Sequence, residues 1–206
     1  MRTPRALSSA RLLTRLDLQT PLLHRLVTRA MRRRFDALAP RWDAIRGQHA
    51  DSTRALLAAL DALEVGSARR ILDVGTGTGQ AASVLKERYR GATIDAIDAS
   101  PRMIELARAK PALAGIRFTV ADGSHLPIED DMIDLAVSLL VQPFPEELLR
   151  VLAPGGWAVF VYPMGPDTPI WFPASLVRPH LERAGYAEVR SGLVGAGEWT
   201  AGRKDG

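Results

Sequence analysis

Ile71-Leu72-Asp73-Val74-Gly75-Thr76-Gly77-Thr78-Gly79-Gln80 runs a short apolar strand, ended by an acid, straight into three alternating glycines. Glycine reaches backbone angles that a Cβ forbids and lets main-chain N–H groups approach a bound molecule. A strand passing through such a loop into a helix therefore marks a nucleotide-type site. A phosphate-gripping loop needs Lys followed by Ser or Thr after its last glycine, and Gln80-Ala81-Ala82 excludes it. Gly77, Gly79 and Ala82 can be laid onto a dinucleotide fingerprint, with Asp98 about 20 residues on as a ribose acid. Asp73 speaks for a different ligand: a carboxylate just before the loop would repel a pyrophosphate and suits a positively charged end.

That positive end favours S-adenosylmethionine, and from about Phe35 to the C-terminus the chain resembles the class I S-adenosylmethionine-dependent methyltransferases. Four motifs carry the resemblance, in the family's order and spacing. Asp73-Val74-Gly75-Thr76-Gly77-Thr78-Gly79 is similar to the first motif. Ala96-Ile97-Asp98-Ala99-Ser100-Pro101-Arg102-Met103 is similar to the second strand, with the acid that takes both ribose hydroxyls. Ala121-Asp122-Gly123 resembles the third, where the acid meets the adenine amino group. Leu149-Arg150-Val151-Leu152-Ala153-Pro154-Gly155-Gly156 matches the helix and turn leading into the fifth strand.

The resemblance implies a Rossmann-like α/β fold with a mostly parallel seven-stranded sheet, helices on both faces and an antiparallel last strand. It implies S-adenosyl-L-methionine as cofactor, held by Asp73, Gly75, Thr76, Gly77, Gly79, Asp98, Ala99, Met103, Asp122, Gly123 and Ser138. Phe35-Asp36-Ala37-Leu38-Ala39-Pro40-Arg41-Trp42-Asp43 resembles an entry segment of small-molecule and quinone methyltransferases that folds over the cofactor, so Trp42 is expected to wall its methionine end. Plain core packing of Trp42 is the competing reading.

The alternation of elements agrees. Strands are expected near 70–74, 93–97, 116–120, 133–138 and 156–162, with helices near 79–90, 101–110, 145–152 and 171–184 between them. Such alternation gives a parallel sheet covered on both faces. Ser100-Pro101 and Gly185 read as helix start and stop signals. Ala187–Arg190 and Glu198–Arg203 read as a closing hairpin. Ser52 to Leu63 has Leu56, Leu57, Leu60 and Leu63 on one stripe and a terminator at Gly66.

The 206 residues suit one domain with a short appendage: a basic arm and lid over 1–50 and the cofactor-binding domain over 51–206. Residues 1–34 hold nine arginines against one acid, Asp17, a surplus of +8; since the chain totals +4, residues 35–206 carry −4. A mildly acidic core speaks against a nucleic-acid surface. Thr20 and Pro21 open a helix in which Leu22, Leu23, Leu26, Val27, Ala30 and Met31 recur at helical spacing, with Arg25, Arg29, Arg32 and Arg33 largely on other faces. Such a helix either packs on the domain, lies against anionic lipid as a peripheral contact or against a partner, or belongs to an organellar targeting sequence. A cytoplasmic setting is expected, compatible with the lack of cysteine, which also removes thiolate metal sites. His24, His49, His125 and His180 are too scattered for a zinc site, so no metal is expected.

Methyl transfer needs orientation and exclusion of water more than a base. His125 and His49 are the histidines placed to act as one if the acceptor must lose a proton. Between Ser138 and Glu146 the chain has only Leu139-Leu140-Val141-Gln142-Pro143-Phe144-Pro145, where relatives carry a longer segment. The acceptor pocket is therefore expected to be reduced or rebuilt, with Phe144, Tyr162, Trp171 and Phe172 as its candidate lining, although core packing is the safer reading for any one of them. The expected activity is methyl transfer to a small, apolar acceptor such as a quinone precursor or secondary metabolite. The alternative is a non-methylating member of the fold that keeps the cavity as a scaffold for other chemistry or a partner.

Overall fold

The computed structural model describes residues 24–47, 53–167 and 170–206, with side chains described from Thr28 to Ala44 in the first segment. The helix start at Thr20-Pro21, the apolar Leu22 and Leu23, the side chains of Leu26 and Val27, and His49 lie outside them.

At the centre stands β1 (Arg70–Val74), flanked by parallel neighbours β2 (Thr93–Asp98) and β4 (Ile133–Leu139). β3 (Arg117–Val120) extends the sheet beyond β2, and β5 (Leu152–Tyr162) beyond β4, both parallel. β6 (Glu188–Val194) and β7 (Gly197–Arg203) form the expected hairpin, and β7 inserts antiparallel between β5 and β6, giving the order β3-β2-β1-β4-β5-β7-β6. Only β7 runs against the other six strands.

Period-two alternation sends neighbouring strand residues to opposite faces, and the two faces carry different helices. Ile71, Leu135, Val137, Val159 and Val161 share a cluster with α2 (Arg54–Ala62) and α3 (Gln80–Arg88). Leu72, Val74, Ala136, Ala158 and Phe160 pack with α5 (Pro145–Val151) and α6 (Ala174–Ala184). α4 (Pro101–Arg108) covers Ala96 and Phe118 through Ile104 and Ala107. α1 (His24–Gly47) lies against α4, and its Met31 and Phe35 pack against the same cluster as Leu72 and Phe160.

The local signals act as expected at two ends. Ser100 caps α4 by accepting from the Met103 N–H, with Pro101 at the first helical position. Gly185 ends α6 at a left-handed φ of 101°. α2 departs from expectation. It ends at Ala62 and the left-handed residue is Glu64 (φ 51°), two positions before Gly66, so the chain turns once the buried stripe is complete and not at the glycine. Leu57 is 39% exposed, because Ala55 and Ala59, with Leu56 and Leu60, form the buried face. β5 begins four residues early, its first residue pairing with Ile133 before the ladder shifts register at Leu135 and Trp157. Among the described residues no helix is long and apolar enough to cross a membrane.

Candidate functional site

The carboxyl ends of β1, β2, β3 and β4 open into one cavity, which α1 covers from the side. Open α/β sheets bind ligands at this edge because the loops diverge there and leave a crevice. The lining gathers Gly75, Thr76, Gly77, Asp98, Ala99, Met103, Asp122, Gly123 and Trp42 among the residues expected from sequence. Asp73, Gly79 and Ser138 lie behind this lining.

The glycine loop is held open by its backbone. Gly75 and Gly77 take φ of 68° and 53°, which a side chain would resist, and the Thr76 N–H donates to the Ile97 carbonyl at 2.9 Å, tying the loop to the end of β2. Asp98 completes the tie. Its Oδ2 accepts the Gly77 N–H and its Oδ1 the Ser100 N–H, each at 2.8 Å. Burial raises the Asp98 carboxyl above its ordinary value, while these two donors pull it down and the Asp36 charge pushes it up. A carboxylate has about four lone-pair sites, so one fixed by two backbone donors still has acceptor capacity facing the cavity.

Asp73 is fully buried, with Oδ2 accepting from the Thr76 hydroxyl at 2.7 Å and Oδ1 without a protein partner. Burial pushes its carboxyl up to about 7, against the Thr76 and Ala82 donors that lower it. The Ser138 hydroxyl, also buried and without a protein partner, belongs to the residue that pairs with Val74 across β1 and β4. Because Asp73 stands behind the lining, its carboxylate can act on a cationic end bound at the glycine loop through its charge and not by direct contact. The sign of the pH effect follows from the direction of this shift. Stability from the neutral carboxyl is complete below the ordinary value of about 4 and is lost as pH rises through 7. Asp73→Asn should therefore raise the melting temperature of the unliganded protein at high pH and leave it little changed at low pH. The same substitution should weaken a ligand with a cationic end. For the unaltered protein, affinity should rise between about pH 6 and 8, because binding a cation favours loss of the Asp73 proton. Melting curves and calorimetry across this range check both statements; a flat profile in each would exclude Asp73 from the binding end.

α1 is latched to the loops at two points. Asp36 accepts from the Ser100 hydroxyl, and Asp43 accepts from the Thr78 hydroxyl and pairs with Lys110 at 2.7 Å. Burial acts to raise the Asp43 carboxyl, but Lys110 and Thr78 outweigh it and hold it below its ordinary value. Trp42 sits between the latches, edge-on to Phe35 with ring centroids 5.4 Å apart, and its indole nitrogen lies 3.3 Å from where a Cβ on Gly77 would stand. Thr28, Met31, Arg32, Phe35 and Trp42 recur at helical spacing and all line the cavity. Asp43→Ala should lower ligand affinity about two- to fivefold, since exposed pairs contribute roughly 0.2–1 kcal/mol, and should speed amide exchange over residues 28–44. Unchanged exchange would show that the latch does not hold the helix.

The segment after β4 is rebuilt around the loop. Val141 lies against Gly75, with its Cγ2 2.2 Å from a hypothetical Cβ there, and Phe144 stands against Gly123 in the same way at 2.5 Å. The Tyr162 hydroxyl donates to the Val141 carbonyl at 2.9 Å, fixing the segment from below. Leu140, in the lining, is held at a left-handed φ of 63° by its N–H bond to the Val161 carbonyl. Of the four aromatic residues expected around an acceptor, only Phe144 lines the cavity. Tyr162 and Phe172 are core residues, and Trp171 donates to Glu198, away from it. Beside Phe144 the lining is made by Leu139, Leu140, Val141 and Gln142 of the shortened segment, by Ile170, and by Thr28, Met31, Arg32, Phe35 and Trp42 of α1.

Asp122 lines the cavity and also forms a turn, its Oδ1 accepting from the Ser124 N–H and hydroxyl. His125 is exposed and outside the lining, its Nδ1 within 2.9 Å of the Ser124 hydroxyl, so it does not reach the chamber as a base. Arg32 is exposed, as expected of the basic face, and also reaches the rim of the cavity beside Met31 and Phe35.

Residues 71–156 match the family described as a methyltransferase domain. A malonyl-[acyl-carrier protein] O-methyltransferase of Halorhodospira halophila is 38% identical over 148 residues, covering 68% of this chain and 50% of that protein. A demethylmenaquinone methyltransferase of Thermus thermophilus is 36% identical over 133 residues, 59% of this chain and 60% of that protein. The chain thus spans about half the length of the first relative. Among solved structures, an S-adenosylmethionine-dependent methyltransferase from Thermotoga maritima superposes with a TM-score of 0.68 at 19% identity, over 85% of this chain and all of that one.

Proposed function

We propose, on the premise that this chain is a class I S-adenosylmethionine-dependent methyltransferase, that it passes the cofactor's methyl group to a small, largely apolar acceptor by in-line displacement. S-adenosyl-L-methionine is the cofactor that membership implies. The observation that carries the reading is the continuity of one cavity from the polar loop ends at Asp98 and Asp122 to an apolar chamber walled by Met31, Phe35, Leu140, Phe144 and Ile170.

The residues fit the cofactor at three points. Asp98 presents an acceptor for a ribose diol, Asp122 stands on the next loop for the adenine, and the unpaired oxygen of Asp73 lies beneath the end that would hold a cation. When bound, the cofactor supplies an electrophilic methyl group on a sulfonium. The chain's own part is to orient and to dry. Trp42 closes over Gly77, the apolar chamber fixes the acceptor beside it, and exclusion of water strengthens the interactions that guide an in-line approach. The names of the two relatives, one for a malonyl group on a carrier protein and one for demethylmenaquinone, agree with acceptors that present an apolar body or tether.

Incubating the protein with methyl-labelled S-adenosylmethionine and a panel of acyl, quinone and phenolic acceptors tests the reading. One labelled product should form per S-adenosylhomocysteine released. Tight cofactor binding with no transfer to any acceptor, under conditions where the lid residues are intact, would instead favour the scaffold alternative.

A further inference from the structure

Arg32 has no role in the cofactor's site, yet it belongs to the cavity. It stands one helical turn from Thr28 and nearly one turn from Phe35 on the covered stripe of α1, and is exposed at the rim. Every other described residue of that stripe in the lining is uncharged: Thr28, Met31, Phe35 and Trp42. The titratable side chains among the described lining are Arg32, Asp98 and Asp122, and the two acids belong to the loop ends after β2 and β3. No carboxylate among the described residues pairs with Arg32; Asp36, one turn further along the helix, is turned to Ser100. Arg32 is therefore the one cationic side chain of the lining among the described residues, at its rim beside the apolar Met31 and Phe35.

Resting on the methyltransferase reading, we infer that the acceptor carries a carboxylate and that Arg32 is the residue that recognises it. A guanidinium offers paired N–H donors matched to a carboxylate, and such charge-assisted bonds strengthen where water is thinned by apolar walls. The chemistry agrees with the chamber. If a carboxylate oxygen is the acceptor atom, its electron pair forms the new O–CH3 bond while the S–CH3 pair returns to sulfur. Anion and sulfonium charges cancel, and no proton has to leave. The reaction then needs no base at the chamber, where His125 does not reach. Arg32 acts as a specificity residue: it holds the anion at the rim, so that the apolar part of the acceptor occupies the wall formed by Met31, Phe35 and Ile170.

Two probes of equal size and different charge, hexanoate and hexanamide, test the inference on the protein saturated with S-adenosylhomocysteine. Calorimetry should show hexanoate binding at least about tenfold more tightly than hexanamide. Arg32→Gln should bring the two within about twofold, Arg32→Lys should keep part of the preference, and both variants should bind S-adenosylhomocysteine within about twofold of the unaltered protein. Binding of neither probe, equal binding of both, or an undiminished preference in Arg32→Gln would overturn it. Failure of the unaltered protein to bind S-adenosylhomocysteine at all would instead remove the reading beneath the inference, and the inference with it.

Discussion

Asp98→Ala is expected to weaken S-adenosylhomocysteine binding by at least about tenfold, and by as much as several hundredfold, because the carboxylate acts on both sides. Toward the protein it fixes the Gly77 and Ser100 N–H groups at 2.8 Å; toward the cavity it offers its remaining lone pairs. Each hydrogen bond to a charged group contributes about 1.5–3 kcal/mol, so loss of a single diol contact accounts for the lower bound, and the second contact and a loosened loop add to it. These contributions separate in a double-mutant cycle with a 2′-deoxy analogue. If Asp98 holds the diol, removing the 2′-hydroxyl weakens binding to the unaltered protein far more than binding to Asp98→Ala. Equal losses in both proteins would leave Asp98 as an organiser of the loop alone.

Gly77→Val should do comparable harm by a different route. A β-branched residue at φ 53° is strained wherever it stands, and here its Cβ would lie 3.3 Å from the Trp42 indole nitrogen, where the loop and α1 both line the cavity. Affinity should drop by at least about tenfold while circular dichroism and the core remain native. Adding Trp42→Leu should recover part of the loss, since it relieves the crowding and leaves the strain. No recovery together with an unfolded spectrum would show that Gly77 supports the fold and not the site.

The sequence made the floor of the site legible and left its roof dark. The glycine loop and the acids at 73, 98 and 122 could be placed because strand ends are punctuated: an apolar run stops, an acid appears, and a glycine or Ser-Pro follows. The hairpin that reverses β7 was legible for the same reason, through Gly195-Ala196-Gly197, whereas Gly192 stands inside β6 opposite Trp199. The roof is written in a 3.6-residue period, and that period reports only that one side of a helix is covered, not what covers it. Thr28, Met31, Arg32, Phe35 and Trp42 therefore read as core, solvent or lid until the helix is laid across the loops. Asp36 and Asp43 could not be recognised as latches, because their partners Ser100, Thr78 and Lys110 lie far along the chain. The rebuilt segment was visible as a shortening, but Val141 on Gly75 and Phe144 on Gly123 are close approaches between distant residues, which no local spacing encodes. Glu64 at φ 51° belongs to the same class: the chain turns where the buried stripe ends, and the nearby Gly66 is a signal that packing overrides.

The central claim is that one cavity holds S-adenosylmethionine, with Asp98 at its ribose end. Calorimetric titration of the purified protein with S-adenosylhomocysteine, run beside Asp98→Ala, tests it most directly. The expected result is one-to-one binding to the unaltered protein and a loss of at least about tenfold in the variant with its fold intact. No binding to the unaltered protein, or equal affinity in both, would contradict it.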